Sequence, residues 1–557
     1  MDSIDEQALK IPAEERPVPA SRLSGFSDFL GIYGGEHIAA TEFVIGALLV
    51  TWGVRAGELI LGLVVGNLLA ASSYALVTAP IAVDTRLSLF AYLRKVTGPW
   101  FQRVFNATWG IISIVWAASM MAISVSSLKE AIGLPIQTQW YPTSGACVAL
   151  TLALVAVTVL VSAFGFKGVV KFSSLCVPWM VTIFFCGAAV GVPMLAKATD
   201  FGAVNGLGGF FSLIDTRIFN GTVPPGVTRL TWIHVAAFAW MCGFVYHVGL
   251  NDMSIFRFAK RASYGWVGLF GMYLGHFFAW ICAGVMGAAA AAVLKVGLHE
   301  LDSGAVTAAV LGWSGLFAVV VAGWTTANPN IYRAALSFAT LVPKAPFRTL
   351  VFGVGAVIAL AACFPGVMRI DMIANAAALL VPQVGAICLM EHWIFPKIGF
   401  TRYWNLYLGK KINPAALGAW VLSSLFALLG ATLGWMHPFF LPMPTFALAG
   451  LAYLVLAAIL GARHPVPAER RAHVDAIERR VAELAETDER EESAKAGPKG
   501  HAAARALRVL AYLALAALVI EAIFNPTRFR LTAIVCTALY FLAALAAECL
   551  TSRKGKI

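Results

Sequence analysis

Three short stretches place polar, titratable or helix-breaking residues inside runs that are otherwise apolar. The first, "YGGEHIAATEF" from Tyr33 to Phe43, holds paired glycines with Glu36, His37, Thr41 and Glu42. The second, "WMCGFVYHVGLND" from Trp240 to Asp252, sets Gly243 and Gly249 around Phe244, Tyr246 and His247. The third, "WTTANPNIYRAAL" from Trp324 to Leu336, gathers Thr325, Thr326, Asn328, Pro329, Asn330 and Arg333. In hydrocarbon every unpaired polar group costs free energy, so such bursts line a wet pathway or bind something. Glycine pairs and buried acids weaken a helix, and the freed carbonyls can coordinate a cation. Glu36, His37 and Glu42 are titratable, so they can carry a proton or hold a cationic solute. A mid-membrane glycine beside aromatics suits a flat ligand, although close helix packing through small residues is the structural alternative. Pro329 lacks a backbone donor and is expected to disrupt the turn before it.

The elements that must position these residues follow from composition. The chain has 557 residues, of which 59% are hydrophobic and only 13% charged. Its mean hydropathy is +0.78. These values describe a polytopic all-α membrane protein and not a globular enzyme. Apolar runs long enough to cross a bilayer lie near 36–55, 57–79, 103–128, 145–165, 169–195, 231–250 and 266–294. Further runs lie near 305–327, 348–366, 370–390, 415–435, 441–461, 504–524 and 529–550, fourteen spans in all. No signal-peptide pattern precedes the first run. The nine cysteines stand singly in apolar runs, as small buried hydrophobes do. With no metal-ligand cluster and no nucleophile elbow, neither a cofactor nor enzymatic chemistry is expected.

Net charge is +12, but the basic residues concentrate in alternate loops, which is an orientation signal and not a nucleic-acid surface. Arg86, Arg94, Lys95 and Arg103 lie between spans two and three, and Lys167 and Lys171 between four and five. Arg257, Lys260 and Arg261 follow span six; Arg333, Lys344 and Arg348 follow span eight; Lys397, Arg402, Lys410 and Lys411 follow span ten. Both termini therefore read as cytoplasmic in the cell (inner) membrane, with Arg333 at the cytoplasmic exit and a large outer loop at 197–230. The expected divisions are a cytoplasmic tail at 1–30 and a membrane-embedded core at 31–462. A charged cytoplasmic linker follows at 463–503, then a two-helix extension at 504–557. Within the linker, Ile477, Val481 and Leu484 at helical spacing predict a short helix, with "ESAKAGPKG" as a flexible tail, and solvation as its default role. The last two spans read as an appendage to a complete core.

The interrupted spans are the first, sixth and eighth. Spans one and six stand five apart, as do three and eight. That spacing is what two inverted five-helix repeats predict, here about 31–195 and 229–400, with broken helices meeting at the midplane.

At these residues the chain resembles the nucleobase–cation symporter-1 family of cytosine, uracil, allantoin and hydantoin transporters. "EFVIGALLVTWG" is similar to the family's first helix and "GNLLA" at Gly66–Ala70 to its second. "GFVYHVGLNDMSIFRFAKR" resembles its sixth, "TTANPNIYRAAL" its eighth, and "VPQVGAICLMEHW" the end of its tenth. The resemblance implies a LeuT-type fold of twelve core helices, here with two more at the C-terminus. It places the substrate-stacking tryptophan at Trp116 and gives Met120 the position of a ring-binding glutamine. Gly243 and Phe244 take the place of the sixth-helix Gly-Trp pair, with His247 nearby, and Asn330 that of the substrate asparagine. For a sodium ion it implies the carbonyls of His37 and Ala40 with the Thr325 hydroxyl. Trp324 stands where a second hydroxyl belongs, unless Thr326 takes that role. Ser254 replaces the family aspartate, with Asp252 and Arg257 close by. Met120 cannot make the polar contact of a cyclic diamide, and Glu36, His37 and Glu42 add titratable groups where the family segment is mostly neutral.

These features imply cation-coupled import of a small planar nitrogen heterocycle by alternating access, with Na+ or H+ as coupling ion. The expected partners are that small molecule and the lipid bilayer, with no nucleic acid and no obligate protein. The alternatives are proton-coupled transport of a cationic or vitamin-like solute drawn by Glu36 and Glu42, and a transporter-like sensor.

Overall fold

The computed structural model describes residues 3–134, 139–223, 226–493 and 502–552. Among these residues the chain forms helices and no strands. Among the described residues ten helices are long and apolar enough to cross a membrane, and Thr41–Thr51, Trp232–Cys242 and Phe347–Ala362 are shorter apolar ones. The protein is a multi-pass membrane protein. Each of the fourteen expected runs contains helix among the described residues, but several are placed differently. The first begins at Phe26 and not near residue 36. The run at 305–327 is two helices, Ser303–Leu311 and Trp313–Ala339, divided at Gly312. Gly312 has φ +63°, a conformation that a glycine adopts freely and that ends a helix. Hydropathy is blind to that turn.

The first helix is discontinuous. Phe26–His37 ends at Ile38, with φ −99° and ψ 70°, and Thr41–Thr51 resumes after three intervening residues. The sixth is discontinuous as well: Trp232–Cys242 stops at Gly243, turns run through Asn251, and Met253–Phe256 follows. The seventh stays helical from Ala262 to Leu294 but widens into a π-turn at Tyr273–Ala279. Such bulges concentrate at functional sites. Here the widened turn faces the first-helix break. A side chain at Gly275 would strike the His37 carbonyl, so glycine permits the approach.

The eighth helix runs unbroken through Pro329, contrary to the expected disruption. Neighbouring side chains add hydrogen bonds to the backbone around the proline. The Asn330 amide donates to the Thr326 carbonyl at 2.9 Å, and the Thr325 and Thr326 hydroxyls donate to the Ala322 carbonyl at 3.1 and 3.0 Å. The eighth helix packs antiparallel along the third, Pro99–Ala131. Small residues set the contact, with Gly110 against Ser337 and Gly323 against Ser124 and the Met120 backbone. That register puts Trp116 level with Asn328–Asn330.

The C-terminal pair, Ala502–Phe524 and Phe529–Ser552, is built into this core and is no loose appendage. The Trp179 indole of the fifth helix, Gly165–Ala198, donates to Thr537 Oγ1 at 3.0 Å. The Tyr540 hydroxyl donates to the Leu175 carbonyl at 2.7 Å. The charged linker is likewise docked. Helix Ala468–Ser493 lays Ile477, Val481 and Leu484 on Ala8 and Ile11. Glu478 sits between Arg94 at 2.9 Å and Lys95 at 2.7 Å, and the Tyr407 hydroxyl donates to Asp475 at 2.9 Å. All but Ser493 of the expected flexible stretch after Glu492 lies outside the described residues.

Candidate functional site

The two helix breaks meet on the eighth helix at a buried ion-pair cluster. Arg333 is fully buried six residues before the end of that helix, Ala339. It does not lie at a cytoplasmic exit, because its guanidinium is committed inward. Nη1 donates to Glu36 Oε1 at 2.5 Å and Nη2 to Glu36 Oε2 at 2.9 Å. Nη2 also reaches Asp252 Oδ1. The guanidinium carbon lies 4.7 Å from the Tyr246 ring centroid, a cation–π arrangement. One arginine thus ties the first half of the first helix and the second half of the sixth to the eighth. Arginine suits this work because its planar fork can meet two carboxylates at once.

Around the cluster lies a shell of aromatic and polar groups. The Tyr33 hydroxyl donates to Asp252 Oδ2 at 2.5 Å. The Tyr33 ring stacks on His37 at 5.4 Å and meets Tyr74 edge-on at 5.2 Å. His37 Nδ1 lies 2.8 Å from the Tyr33 carbonyl and Nε2 lies 3.4 Å from the Tyr74 hydroxyl. The Tyr246 hydroxyl donates to Asn330 Oδ1 at 3.1 Å, and Thr326 Oγ1 donates to the Glu36 carbonyl at 3.2 Å. Trp109, a buried third-helix tryptophan, meets Tyr246 edge-on at 6.3 Å.

The sequence-predicted residues divide between this region and others. Glu36, His37, Asn330 and Thr326 belong to the cluster or its shell. Trp116 is half-buried, level with Asn330 and two helical turns from Trp109. Met120 of the third helix is buried against the eighth beside Gly323. Ala40 is buried at the start of Thr41–Thr51. Thr325 turns toward the fifth helix, its hydroxyl 3.8 Å from Met180 Sδ, so Thr326 and not Thr325 bonds to the first helix. Trp324 also faces the fifth helix, with its ring 4.5 Å from Phe172.

Phe244 does not present its face toward Trp116. It packs with Met241, Val248, Met443 and Phe446, against the twelfth helix, Pro442–Leu460. The glycine-flanked turns after Cys242 rotate the chain, so Tyr246 takes the inward position. Gly243 caps the helix beside the His247 ring. His247 is buried, with Nε2 3.0 Å from the Trp240 carbonyl. Glu42 is buried away from His37 and accepts the Trp280 indole N–H. His276 stacks on that indole at 4.6 Å. Ser254 donates to the Asn251 carbonyl at 2.7 Å, and Arg257 to the Tyr332 hydroxyl at 2.9 Å.

Sequence reasoning passed over Tyr33, Tyr74, Trp109 and the pairing of Asp252 with Arg333. The available signal was charge balance. An arginine and two acids within apolar runs must find each other, since a lone buried charge is far costlier than a paired one.

No protein-family model and no curated protein matches this chain. Solved structures do. Mhp1, a nucleobase-cation-symport-1 family transporter in a closed conformation with bromovinylhydantoin bound, aligns with a TM-score of 0.62 at 15% identity. The alignment covers 83% of this chain and 99% of that one. An inward-facing conformation of Mhp1 aligns at 0.61 with 14% identity, over 83% and 96%. The substrate-bound outward-open state of a Na+-coupled sialic acid symporter aligns at 0.58 with 12% identity, over 82% and 96%. The fold is of the LeuT type. In this LeuT-type frame the broken first and sixth helices lie one in each expected repeat, and Arg333 joins them.

Proposed function

We propose that this protein is a cation-coupled secondary active transporter that imports a small planar nitrogen heterocycle across the cell (inner) membrane by alternating access. One observation carries the reading: the discontinuous first and sixth helices converge on the eighth at a buried polar cluster, the arrangement that places substrate and ion sites in transporters. Tyr246, Trp109 and Trp116 supply aromatic surface at that level, and Asn330 supplies an amide for a ring nitrogen or carbonyl. The likeness to a transporter solved with bromovinylhydantoin supports a cyclic, nitrogen-containing cargo. A cationic cargo at Glu36 is disfavoured, because both Glu36 carboxylate oxygens already bind Arg333. Cytoplasmic termini agree with the docking of helix Ala468–Ser493 on the basic loop of Arg94 and Lys95.

The test is a thermal-shift panel of nucleobases, hydantoins, allantoin and heterocyclic vitamins on purified protein, followed by uptake into proteoliposomes. A ligand that binds the native state raises its apparent stability by mass action. A compound that stabilises the protein and accumulates against its gradient establishes the reading. Binding without accumulation would make the protein a sensor.

A further inference from the structure

The buried cluster has an unbalanced charge. Arg333 contributes one positive charge; Glu36 and Asp252 contribute two negative ones, and all three side chains are at most 7% exposed. A net charge held out of water is expensive, so one more positive charge belongs there in the closed state. The geometry decides what kind. All four carboxylate oxygens already have a donor: both Glu36 oxygens and Asp252 Oδ1 from Arg333, and Asp252 Oδ2 from Tyr33. The Glu36 carbonyl at the break lies 3.2 Å from Thr326 Oγ1, whose one proton it shares with the Ala322 carbonyl at 3.0 Å. A metal cation bound to these carboxylates would have to displace their donors. A proton needs one lone pair. The 2.5 Å contact between Asp252 Oδ2 and the Tyr33 hydroxyl can take it: Asp252 then donates and the Tyr33 oxygen accepts, its own O–H turning away from Asp252.

Building on the transporter reading above, we propose that the coupling ion is a proton and that Asp252, held by Arg333 and Tyr33, carries it. Glu36, chelated by both Nη groups, remains the permanent counter-ion. The charged and titratable groups facing Asp252 are Tyr33 and Glu36 on the first helix, Tyr74 on the second, Tyr246 on the sixth and Arg333 on the eighth. His37, against both Tyr33 and Tyr74, is the next titratable group outward. Coupling follows from the charge balance. With the proton aboard the cluster is neutral and closes dry around its load. Without it the excess negative charge favours a hydrated, open state.

Two measurements on the full chain test this. Infrared spectra of the protein in nanodiscs, titrated from about pH 5 to about pH 9, cover carboxyl and imidazole titration. The wild type should lose a carboxylic-acid C=O band as pH rises. Asp252→Asn should lack that band, Asp252→Glu should restore one, and Glu42→Gln should keep it. A wild-type-minus-Asp252→Asn difference spectrum with no carboxylic-acid band overturns the proposal, since the buried Glu391 and Glu42 can contribute bands of their own. In proteoliposomes with a trapped pH dye and sodium-free buffer, cytosine, uracil, hydantoin and allantoin are added singly under an inside-negative potential. At least one should acidify the lumen in the wild type, with loss of the signal in Asp252→Asn. Accumulation that requires a sodium gradient and brings no acidification overturns the proton while leaving the transporter reading intact. A titrating Asp252 band with none of the four compounds entering under either gradient keeps the proton site and removes this substrate class.

Discussion

Arg333 on the eighth helix grips Glu36 on the first through both terminal nitrogens, at 2.5 and 2.9 Å, and neither side chain reaches solvent appreciably. Removing the arginine leaves two buried carboxylates facing each other. Breaking a buried pair on one side costs about 3–5 kcal/mol, so Arg333→Met should strongly lower the melting temperature of purified protein. Glu36→Gln should cost less, because Asp252 still neutralises Arg333. A wild-type melting curve for Arg333→Met would show that the pair does not hold the breaks together.

Trp116 and Phe244 make contrasting forecasts. Trp116 is level with Asn330, whereas Phe244 is buried against Phe446. A stacked ring pair adds about 0.5–1.5 kcal/mol beyond its burial. Trp116→Ala should therefore weaken binding of the panel's best ligand severalfold in isothermal titration. Phe244→Leu should leave affinity unchanged. The reverse order would place the ligand on the other side of the sixth-helix break.

Tyr246→Phe keeps the ring under Arg333 but deletes the hydroxyl that orients Asn330. A typical hydrogen bond contributes about 0.5–1.5 kcal/mol net, so stability should fall modestly. Ligand affinity should fall further if Asn330 reads the substrate. Comparing the thermal shift of the apo protein with that at saturating ligand separates the two effects.

Helix Ala468–Ser493 should stay docked down to acid pH. Burial alone would raise the Glu478 carboxyl, but Arg94 and Lys95 outweigh it and hold it below its usual value of 4.5. The folded pKa is thus below the unfolded one. The stabilisation is complete above the unfolded value and is lost as pH falls through the folded value. Limited proteolysis of this helix should be constant from neutral pH to about pH 5 and rise only below the ordinary carboxylate range. Glu478→Gln should expose it at neutral pH.

The C-terminal pair should matter to stability. Trp179 bonds to Thr537, and Leu518 is fully buried in the common core. Deleting residues 502–557 should lower the melting temperature and accelerate exchange in the fifth helix. An unchanged fifth helix would return the pair to the status of an appendage.

Composition and periodicity determined the membrane class, the order of the apolar runs, and the three segments where those runs are interrupted. These are local properties. Twenty apolar residues must cross a bilayer, and a Gly-Gly-Glu-His run weakens whichever helix contains it. Gly312 shows the limit. Its turn depends on a backbone dihedral that hydropathy does not record, so one apparent span is two helices.

Pairing across helices was decided only by the tertiary structure. Arg333, Glu36 and Asp252 are far apart in the chain, and loop counting placed Arg333 at the membrane edge. In the fold, the register of the eighth helix carries it inward to two acids on two broken helices. Inward-facing position is equally non-local, since the turns after Cys242 hand it from Phe244 to Tyr246. The sequence by itself determined that buried charges existed and needed partners. Which partners they found depended on how three helices cross, because a buried charge is neutralised by what lies within a few ångströms in space, whatever its distance along the chain.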